Sequence, residues 1–155
     1  MAHDTYFAQE NVLIDSSGNP QISDFGLSRI CHEVTRPNTL IFGGGRYRFL
    51  APELLSGQEK FRTSEASDIF ALAMTFYNFW ARQPPFIYLN ELQAANAICK
   101  GDRPSRPAND PDVPSARMDS FWLLIQQMWA HEAVNRLATE KVHTRLERIF
   151  APLAA

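Results

Sequence analysis

The stretch SDIFALAMTFYNFW, from Ser67 to Trp80, places apolar side chains on almost every face of a helix. A helix at the surface shows one apolar stripe, whereas a helix that is apolar all round is buried. We therefore predict that residues 68–80 form a helix buried on every side. This helix is expected to be the axis of the core, with the other elements packed around it.

The composition is typical of one globular domain. Hydrophobic residues make up 45% of the 155 residues and charged residues 21%, which suits one core but not two. The net charge of −2 gives no positive excess for a phosphate backbone, so we expect no nucleic-acid partner. The 2 cysteines and 4 histidines show no metal-ligand spacing. Because the sequence has neither a secretory signal nor an apolar run of ~20 residues, we expect no membrane contact and a cytoplasmic protein that could also enter the nucleus.

The segment before the central helix begins with a predicted β-hairpin. Residues 12–14 and 21–23 have strand composition, and the turn residues 16–20 lie between them. This places Asn11 and Asp24 at the outer ends of two neighbouring strands. Their oxygen atoms are the kind of ligand that magnesium prefers, so they are candidates for a metal site, although both residues could simply cap turns.

The segment after the central helix shows three further helical patterns. Apolar residues recur at helical spacing over residues 92–98, 121–128 and 142–150. We expect Gly101 to stop the first of these helices and Thr139 to cap the start of the last.

Two stretches are predicted to be loops. Residues 35–47 contain Thr, Pro, Asn and three successive glycines, and we expect a mobile loop there. Residues 102–117 contain four prolines, which predict an extended surface connection without helix. The basic residues Lys100, Arg103 and Arg106 are expected to be solvated in this connection.

Six short motifs follow one another along the chain. They are Asp24-Phe25-Gly26, Ala51-Pro52-Glu53, Ser67-Asp68, Gln83-Pro84-Pro85-Phe86, Gly101-Asp102-Arg103-Pro104, and Met128-Trp129 followed by Arg136. In order and spacing they resemble the C-terminal lobe of eukaryotic protein kinases, and the last of them look like the tyrosine-kinase-like branch of that family. The resemblance covers residues 10–150.

The resemblance implies a magnesium and nucleotide site at the hairpin. Asn11 is similar to the catalytic-loop asparagine and Asp24 to the aspartate of the Asp-Phe-Gly motif, and both residues hold magnesium and, through it, ATP in the family. Phe25 and Gly26 complete that motif as structural residues. Magnesium and ATP are therefore the cofactors that the resemblance implies.

The resemblance also implies a fold and three structural residues. Glu53 is similar to a glutamate that pairs with a buried arginine, for which Arg136 is the match, and Asp68 resembles a buried aspartate that binds the catalytic-loop backbone. The implied fold is mainly α: a kinase-like C-terminal lobe with a short β-hairpin and about five helices around a buried central helix. We predict this lobe for residues 10–150, an unrelated or truncated segment for residues 1–9, and a tail for residues 151–155.

The catalytic loop departs from the family pattern. Counting back from Asn11 places Tyr6 where the catalytic aspartate is expected, and Ala8 where a lysine is expected. A phenol with a pKa near 10 is neutral at pH 7 and cannot act as a carboxylate base. No glycine-rich loop and no strand lysine precede Asn11 in these 155 residues. We assign no catalytic residue.

Three functional hypotheses follow from the motifs that match the family and the catalytic loop that departs from it. The first is a protein kinase-like domain, truncated to its C-terminal lobe, that is inactive alone and binds neither magnesium nor ATP by itself. The alternatives are a kinase-derived protein-binding module, comparable to a pseudokinase scaffold, and a decayed gene product. We expect a protein partner or self-association through a face left open by a missing N-terminal lobe, with exposed side chains at Val12, Ile14, Ile22 and Phe25.

Overall fold

The computed structural model describes residues 12–22, 47–56 and 63–151 of the chain. Within these ranges the predicted mainly helical architecture, a short hairpin plus five helices, is confirmed. The elements are β1 (Val12–Ile14), β2 (Pro20–Ile22), α1 (Pro52–Leu55), α2 (Glu65–Ala81), α3 (Glu91–Cys99), α4 (Ser115–Met128) and α5 (Thr139–Phe150), with 3₁₀ turns at Tyr47–Phe49 and Ala133–Asn135. None of the helices in these ranges has the length and apolar character needed to cross a membrane.

The hairpin is antiparallel, and its turn is organised by one carboxylate. Val12 lies opposite Ile22 across the two strands. The Asp15 carboxylate accepts hydrogen bonds from the backbone N–H groups of Asn19 at 2.9 Å and Ser17 at 2.8 Å. These bonds, with that from Asn19 the largest influence, lower the pKa of Asp15 below its ordinary value. The turn predicted between the two strands is therefore closed by hydrogen bonds from its own residues.

The central helix α2 starts earlier than its apolar pattern predicts. Ser64 and Ser67 form a reciprocal capping box, in which the Ser67 N–H donates to Ser64 Oγ at 3.2 Å and the Ser64 N–H donates to Ser67 Oγ at 2.8 Å. The helix therefore begins at Glu65, and it ends at Ala81, followed by Arg82 in the left-handed conformation with φ 54°. The prediction of burial on every side is wrong at Phe79, whose residue surface is 45% exposed.

Helix α2 forms the axis of the core. Phe70 and Met74 are fully buried, and α2 packs against α4 and against the 3₁₀ turn at Tyr47–Phe49. An aromatic network joins α2 to the later helices. Its ring pairs are Phe76 with Phe121, Trp80 with Phe121, Trp80 with Trp122, Phe121 with Phe150, and Trp122 with Trp129, at centroid separations of 5.4–5.9 Å.

Helix α3 ends where the sequence predicts. Its start is fixed by a capping box between Asn90 and Gln93. Gly101 has φ +93°, a left-handed conformation that suits glycine at a helix end. The predicted helix stop at Gly101 thus follows from the backbone freedom of that residue.

Two predictions about helix starts are wrong. Helix α4 begins at Ser115, inside the stretch predicted to be free of helix, because Pro114 precedes the first turn, where a missing N–H costs no hydrogen bond. Thr139 does not cap α5: the cap position is Ala138, and the Thr139 hydroxyl instead donates to Glu65 Oε1 at 2.7 Å. Thr139 therefore joins the starts of α5 and α2.

The capping box of α2 generates a stability prediction. Ser64→Ala removes the acceptor for the Ser67 N–H, and we expect a loss of about 1 kcal/mol in the free energy of unfolding. This corresponds to a fall of about 2–4 °C in Tm by circular dichroism. The control is Ser120→Ala, which removes an exposed hydroxyl inside α4 and is expected to change the free energy of unfolding by less than about 0.5 kcal/mol. Equal Tm values for the two variants would contradict a role for the cap.

Candidate functional site

An ion pair between Glu53 and Arg136 fastens α1 to the helical body. The Arg136 guanidinium donates from Nη1 to Glu53 Oε1 and from Nη2 to Glu53 Oε2, both at 2.7 Å. The Arg136 side chain is 0% exposed and that of Glu53 is 14% exposed. The structure therefore brings together the two residues that the resemblance pairs, across 83 positions of sequence.

All the donors of Arg136 are used. Besides the two bonds to Glu53, Nε donates to the carbonyl of Ala130 at 2.9 Å, Nη1 to that of Ala66 at 2.9 Å, and Nη2 to that of His131 at 3.0 Å. A guanidinium carries five N–H donors, so this arginine is fully satisfied. Arg136 thereby joins α1, the first turn of α2 and the segment that follows α4.

The ion pair also sets the protonation of Glu53. Burial by itself raises the pKa of this carboxyl, but the hydrogen bonds from Arg136 and its positive charge act in the opposite direction. The net result is a pKa below the ordinary value of 4.5. Glu53 is therefore ionised in the folded protein at neutral pH.

Asp68 lies in the first turn of α2, close in sequence to Ala66, whose carbonyl accepts from Arg136. Its backbone N–H donates to the Ser64 carbonyl at 3.0 Å, and its Oδ1 atom is buried. The catalytic-loop backbone, which the resemblance gives as its partner, lies outside the described residues. The role of Asp68 stays a prediction.

The structure adds a buried arginine that the sequence did not reveal. Arg48, 8% exposed, donates from Nε to the Glu91 carboxylate at 2.5 Å and from Nη1 to the Pro85 carbonyl at 2.8 Å. Further bonds run to the carbonyls of Phe86 and Leu89. Arg48 thus ties the segment before α1 to the loop before α3. The nearby Gln-Pro-Pro-Phe motif marked that loop, but no local pattern linked it to Arg48.

The prediction that Arg103 is solvated is wrong. Its Nε donates to the Trp129 carbonyl at 2.9 Å, its Nη1 to the Asp102 carbonyl at 2.7 Å, and its guanidinium carbon lies 4.9 Å from the centroid of the Phe70 ring. Burial, followed by the charge of Arg136, lowers the pKa of Arg103 to about 10. Arg103 is partly buried, although it lies in a proline-rich stretch, because the carbonyls at the helix ends need donors.

The predicted nucleotide and metal residues lie outside the described residues. These are Asn11, Asp24, Phe25 and Gly26, together with Tyr6 at the position of the catalytic base. Among the residues that are described, no group of three or more His, Cys, Asp or Glu side chains could hold a metal ion. The assignment of magnesium and ATP to Asn11 and Asp24, and the boundaries at residues 9 and 150, stay predictions.

Comparison with known proteins places these contacts in a family. A family model described as the protein kinase domain matches residues 8–145. The chain is 29% identical over 141 residues to a probable serine/threonine-protein kinase of Dictyostelium discoideum, covering 90% of this chain and 14% of the relative. It is 25% identical over 146 residues to the dual specificity protein kinase shkC of the same organism, covering 93% and 27%. The chain thus spans less than a third of either relative.

Arg136→Ala is expected to be strongly destabilising. Removing one member of a buried pair leaves the Glu53 charge and several carbonyls without donors, at a cost of roughly 3–5 kcal/mol. We expect mostly insoluble protein on expression. The control is Arg117→Ala, which removes a partly exposed arginine bonded to the Ala151 carbonyl and is expected to cost less than about 1 kcal/mol. A soluble Arg136→Ala protein that melts within ~2 °C of the parent would contradict the anchoring role.

The pH dependence of stability tests the ion pair between Glu53 and Arg136 without relying on the insoluble Arg136→Ala variant. The pKa of Glu53 is lower in the folded than in the unfolded state. The stability that the Glu53 charge contributes is therefore complete above pH 4.5 and is lost as the pH falls through the pKa of the folded state. Urea unfolding of the parent and of Glu53→Gln is measured from about pH 6 to about pH 3. The difference in unfolding free energy between the parent and Glu53→Gln is expected to shrink below pH 4.5. A constant difference would show that the Glu53 charge contributes nothing.

Proposed function

This chain belongs to the protein kinase family, and on that premise we propose that its 155 residues form the helical lobe of a serine/threonine-type kinase domain that transfers no phosphate by itself. The relatives named as serine/threonine kinases support the proposed type. The assignment to the tyrosine-kinase-like branch, made from the Gly-Asp-Arg-Pro and Met-Trp motifs, stays a prediction.

One contrast carries the proposal. The contacts that hold the lobe together are formed, with Arg136 bidentate on Glu53 and Arg48 bound to Glu91. At the position of the catalytic base, however, the sequence has Tyr6. A neutral phenol cannot take up the proton of a substrate hydroxyl at pH 7 as an aspartate does. The family's structural residues are thus present where one of its chemical residues is not.

Nucleotide binding is proposed to be absent in this chain alone. Magnesium is usually held by one or two carboxylates together with phosphate oxygens, so Asn11 and Asp24 would need a bound nucleotide to complete the site. In the family, a glycine-rich loop and a strand lysine hold the phosphates. The 155 residues contain neither of these ahead of Asn11.

Titration with Mg-ATP tests this proposal. A ligand at ~100 times its dissociation constant stabilises a protein by about 2.7 kcal/mol, so binding would raise Tm by several degrees. We expect no rise at millimolar Mg-ATP and no transfer of labelled phosphate to a protein substrate. Tyr6→Asp, which restores the carboxylate of the base, is expected to remain inactive because the phosphates still lack their lysine. A rise in Tm that Asp24→Asn abolishes, or measurable transfer, would contradict the proposal.

A second candidate function, a protein-binding module, is favoured by the hairpin. Leu13 and Ile14 are 57% and 65% exposed, although both lie on a strand of apolar composition. Exposed apolar side chains on a short sheet with open edges mark an interaction site or an aggregation hazard. Ile14 is one of the side chains that the sequence predicted to be exposed. The side chains of Val12, Ile22 and Phe25, also predicted, are not among those described.

Light scattering after size-exclusion chromatography tests the binding module. We expect the parent to self-associate at micromolar concentration and to bind a hydrophobic dye. The double variant Leu13→Thr/Ile14→Thr places a β-branched residue, which suits a strand, at both positions and is expected to become monomeric. Leu123→Gln, which removes an equally exposed leucine from α4, is the control and is expected to associate like the parent. A 17.6 kDa parent monomer without dye binding would favour the remaining alternative, a decayed gene product.

A further inference from the structure

A cavity that opens to solvent lies along one flank of α5. It has a volume of about 280 Å³ and is lined by Glu140, Lys141, Thr144, Arg145 and Arg148. Three cations and one carboxylate line it, so its lining is net positive although the whole chain has a net charge of −2. We refer to Lys141, Arg145 and Arg148 as the basic stripe. The family resemblance assigned no role to these residues.

The three cations of the basic stripe repel one another. Lys141 and Arg145 are four residues apart on α5, and Arg145 and Arg148 are three apart, so each pair lies side by side on one face of the helix. Like charges at this spacing destabilise a helix. The helix dipole favours Arg148, which is in the last turn, but it disfavours Lys141, which is in the first turn. The stability of α5 therefore does not account for the stripe.

The carboxylates that the structure describes do not balance the charge of the basic stripe. None of its three cations forms an ion pair within the described part of the chain, whereas the exposed Arg106 is paired with Asp119. Arg145 donates to the side-chain carbonyl of Gln127 on α4, which is a neutral group. Lys141 and Arg148 are exposed, so an anion can reach them from solvent. The stripe therefore favours a negatively charged occupant.

An exposed leucine on α4 adds an apolar feature beside the basic stripe. Arg117, at the start of α4, donates to the Ala151 carbonyl beyond the end of α5. Gln127, near the end of α4, accepts from Arg145 in the middle of α5, so the two helices run antiparallel. Leu123 is 58% exposed and lies one turn before Gln127 on the same face of α4. It therefore lies on the flank of α4 that faces the stripe.

The length of the basic stripe selects the shape of the occupant. From Lys141 to Arg148 the stripe extends about 10 Å along the helix axis. A helical segment with carboxylates one turn apart would place one negative charge opposite each cation, because its own side chains repeat at the same spacing. An apolar side chain next to those carboxylates would cover Leu123.

We propose that the basic stripe and Leu123 bind an acidic helical segment of a partner protein, in which carboxylates recur at one-turn spacing beside an apolar residue. The carboxylates supply negative charge and relieve the repulsion between the three cations. The apolar residue packs on the exposed leucine. Charge complementarity favours the acidic segment over a neutral segment of the same shape. This surface involves neither the hairpin nor phosphate transfer.

The probe is the peptide acetyl-Ala-Glu-Leu-Ala-Ala-Glu-Leu-Ala-Glu-Ala-Ala-amide, whose Glu residues have the same spacing as the cations of the basic stripe. The matched control peptide carries Gln in place of each Glu. Both peptides bear the same fluorophore, and fluorescence polarisation is measured as the parent chain is added. We expect saturable binding of the acidic peptide that high salt weakens, and at least ~10-fold weaker binding of the neutral peptide. Equal affinities, or no saturable binding of the acidic peptide, would overturn the proposal.

Two double variants that remove the same charge test where the peptide binds. Lys141→Gln/Arg148→Gln removes two cations of the basic stripe, and Arg82→Gln/Lys100→Gln removes two cations outside it. All four positions are exposed, so both proteins are expected to fold, which circular dichroism checks. We expect the first variant to weaken binding of the acidic peptide at least ~10-fold and the second to change it less than ~2-fold. Equal losses would indicate a general effect of charge and would contradict the assigned site.

Leu123→Ala tests the apolar part of the surface. It leaves every charge in place and is expected to weaken binding of the acidic peptide at least ~3-fold, because apolar contact area is lost. An unchanged affinity would contradict the packing of the partner on Leu123.

An anionic lipid surface is the competing occupant. Vesicles of phosphatidylcholine with phosphatidylserine are added to the complex of the parent chain with the labelled acidic peptide, and vesicles of phosphatidylcholine alone are the control. We expect the unlabelled acidic peptide to displace the labelled one at a lower concentration than accessible phosphatidylserine does. The reverse order would overturn the proposal in favour of a membrane.

Discussion

The bidentate contact between Arg136 and Glu53 is the constraint on which the rest of this lobe depends. The guanidinium of Arg136 joins three chain segments. It binds α1 through the Glu53 carboxylate, the first turn of α2 through the Ala66 carbonyl, and the segment after α4 through the carbonyls of Ala130 and His131. The group is buried with all its donors used, so no part of the arrangement can shift without leaving a buried charge or carbonyl unpaired. The short helix α1 is held in place by this contact although it has only 4 residues.

The same physical device occurs again at Arg48 and Arg103. Each of these arginines donates to backbone carbonyls of a loop or helix end, because these carbonyls have no partner in a regular helix or sheet. Arginine suits this task because its planar group carries several donors in fixed directions and stays charged. The three side chains hold the loops around α2 in place. Arg48 is paired with Glu91 and Arg136 with Glu53, whereas Arg103 donates to backbone carbonyls.

Stability and chemistry are separable in this chain. The contacts that fasten the lobe involve Glu53, Arg136, Arg48 and Glu91, and none of these is a group to which the family resemblance gives a chemical step. By the resemblance, Tyr6 takes the position of the family's base, and that change removes none of these contacts.

The sequence by itself determined the elements whose signals are local. The apolar run at residues 68–80 predicted the central helix, Gly101 predicted a helix stop, and the ordered motifs identified the family and, through it, the pairing of Glu53 with Arg136. Local signals suffice there because helical periodicity and backbone freedom act within a few residues. Only the tertiary structure decided that Arg48 is buried and Arg103 partly buried, that Thr139 binds Glu65 instead of capping α5, and that Phe79 is exposed. These outcomes depend on which distant carbonyls, carboxylates and rings meet a side chain once the helices pack, and separations of 26 to 74 positions leave no periodic trace in the sequence. The candidate magnesium residues Asn11 and Asp24 belong to neither group, because they lie outside the described residues and the resemblance alone supports their assignment.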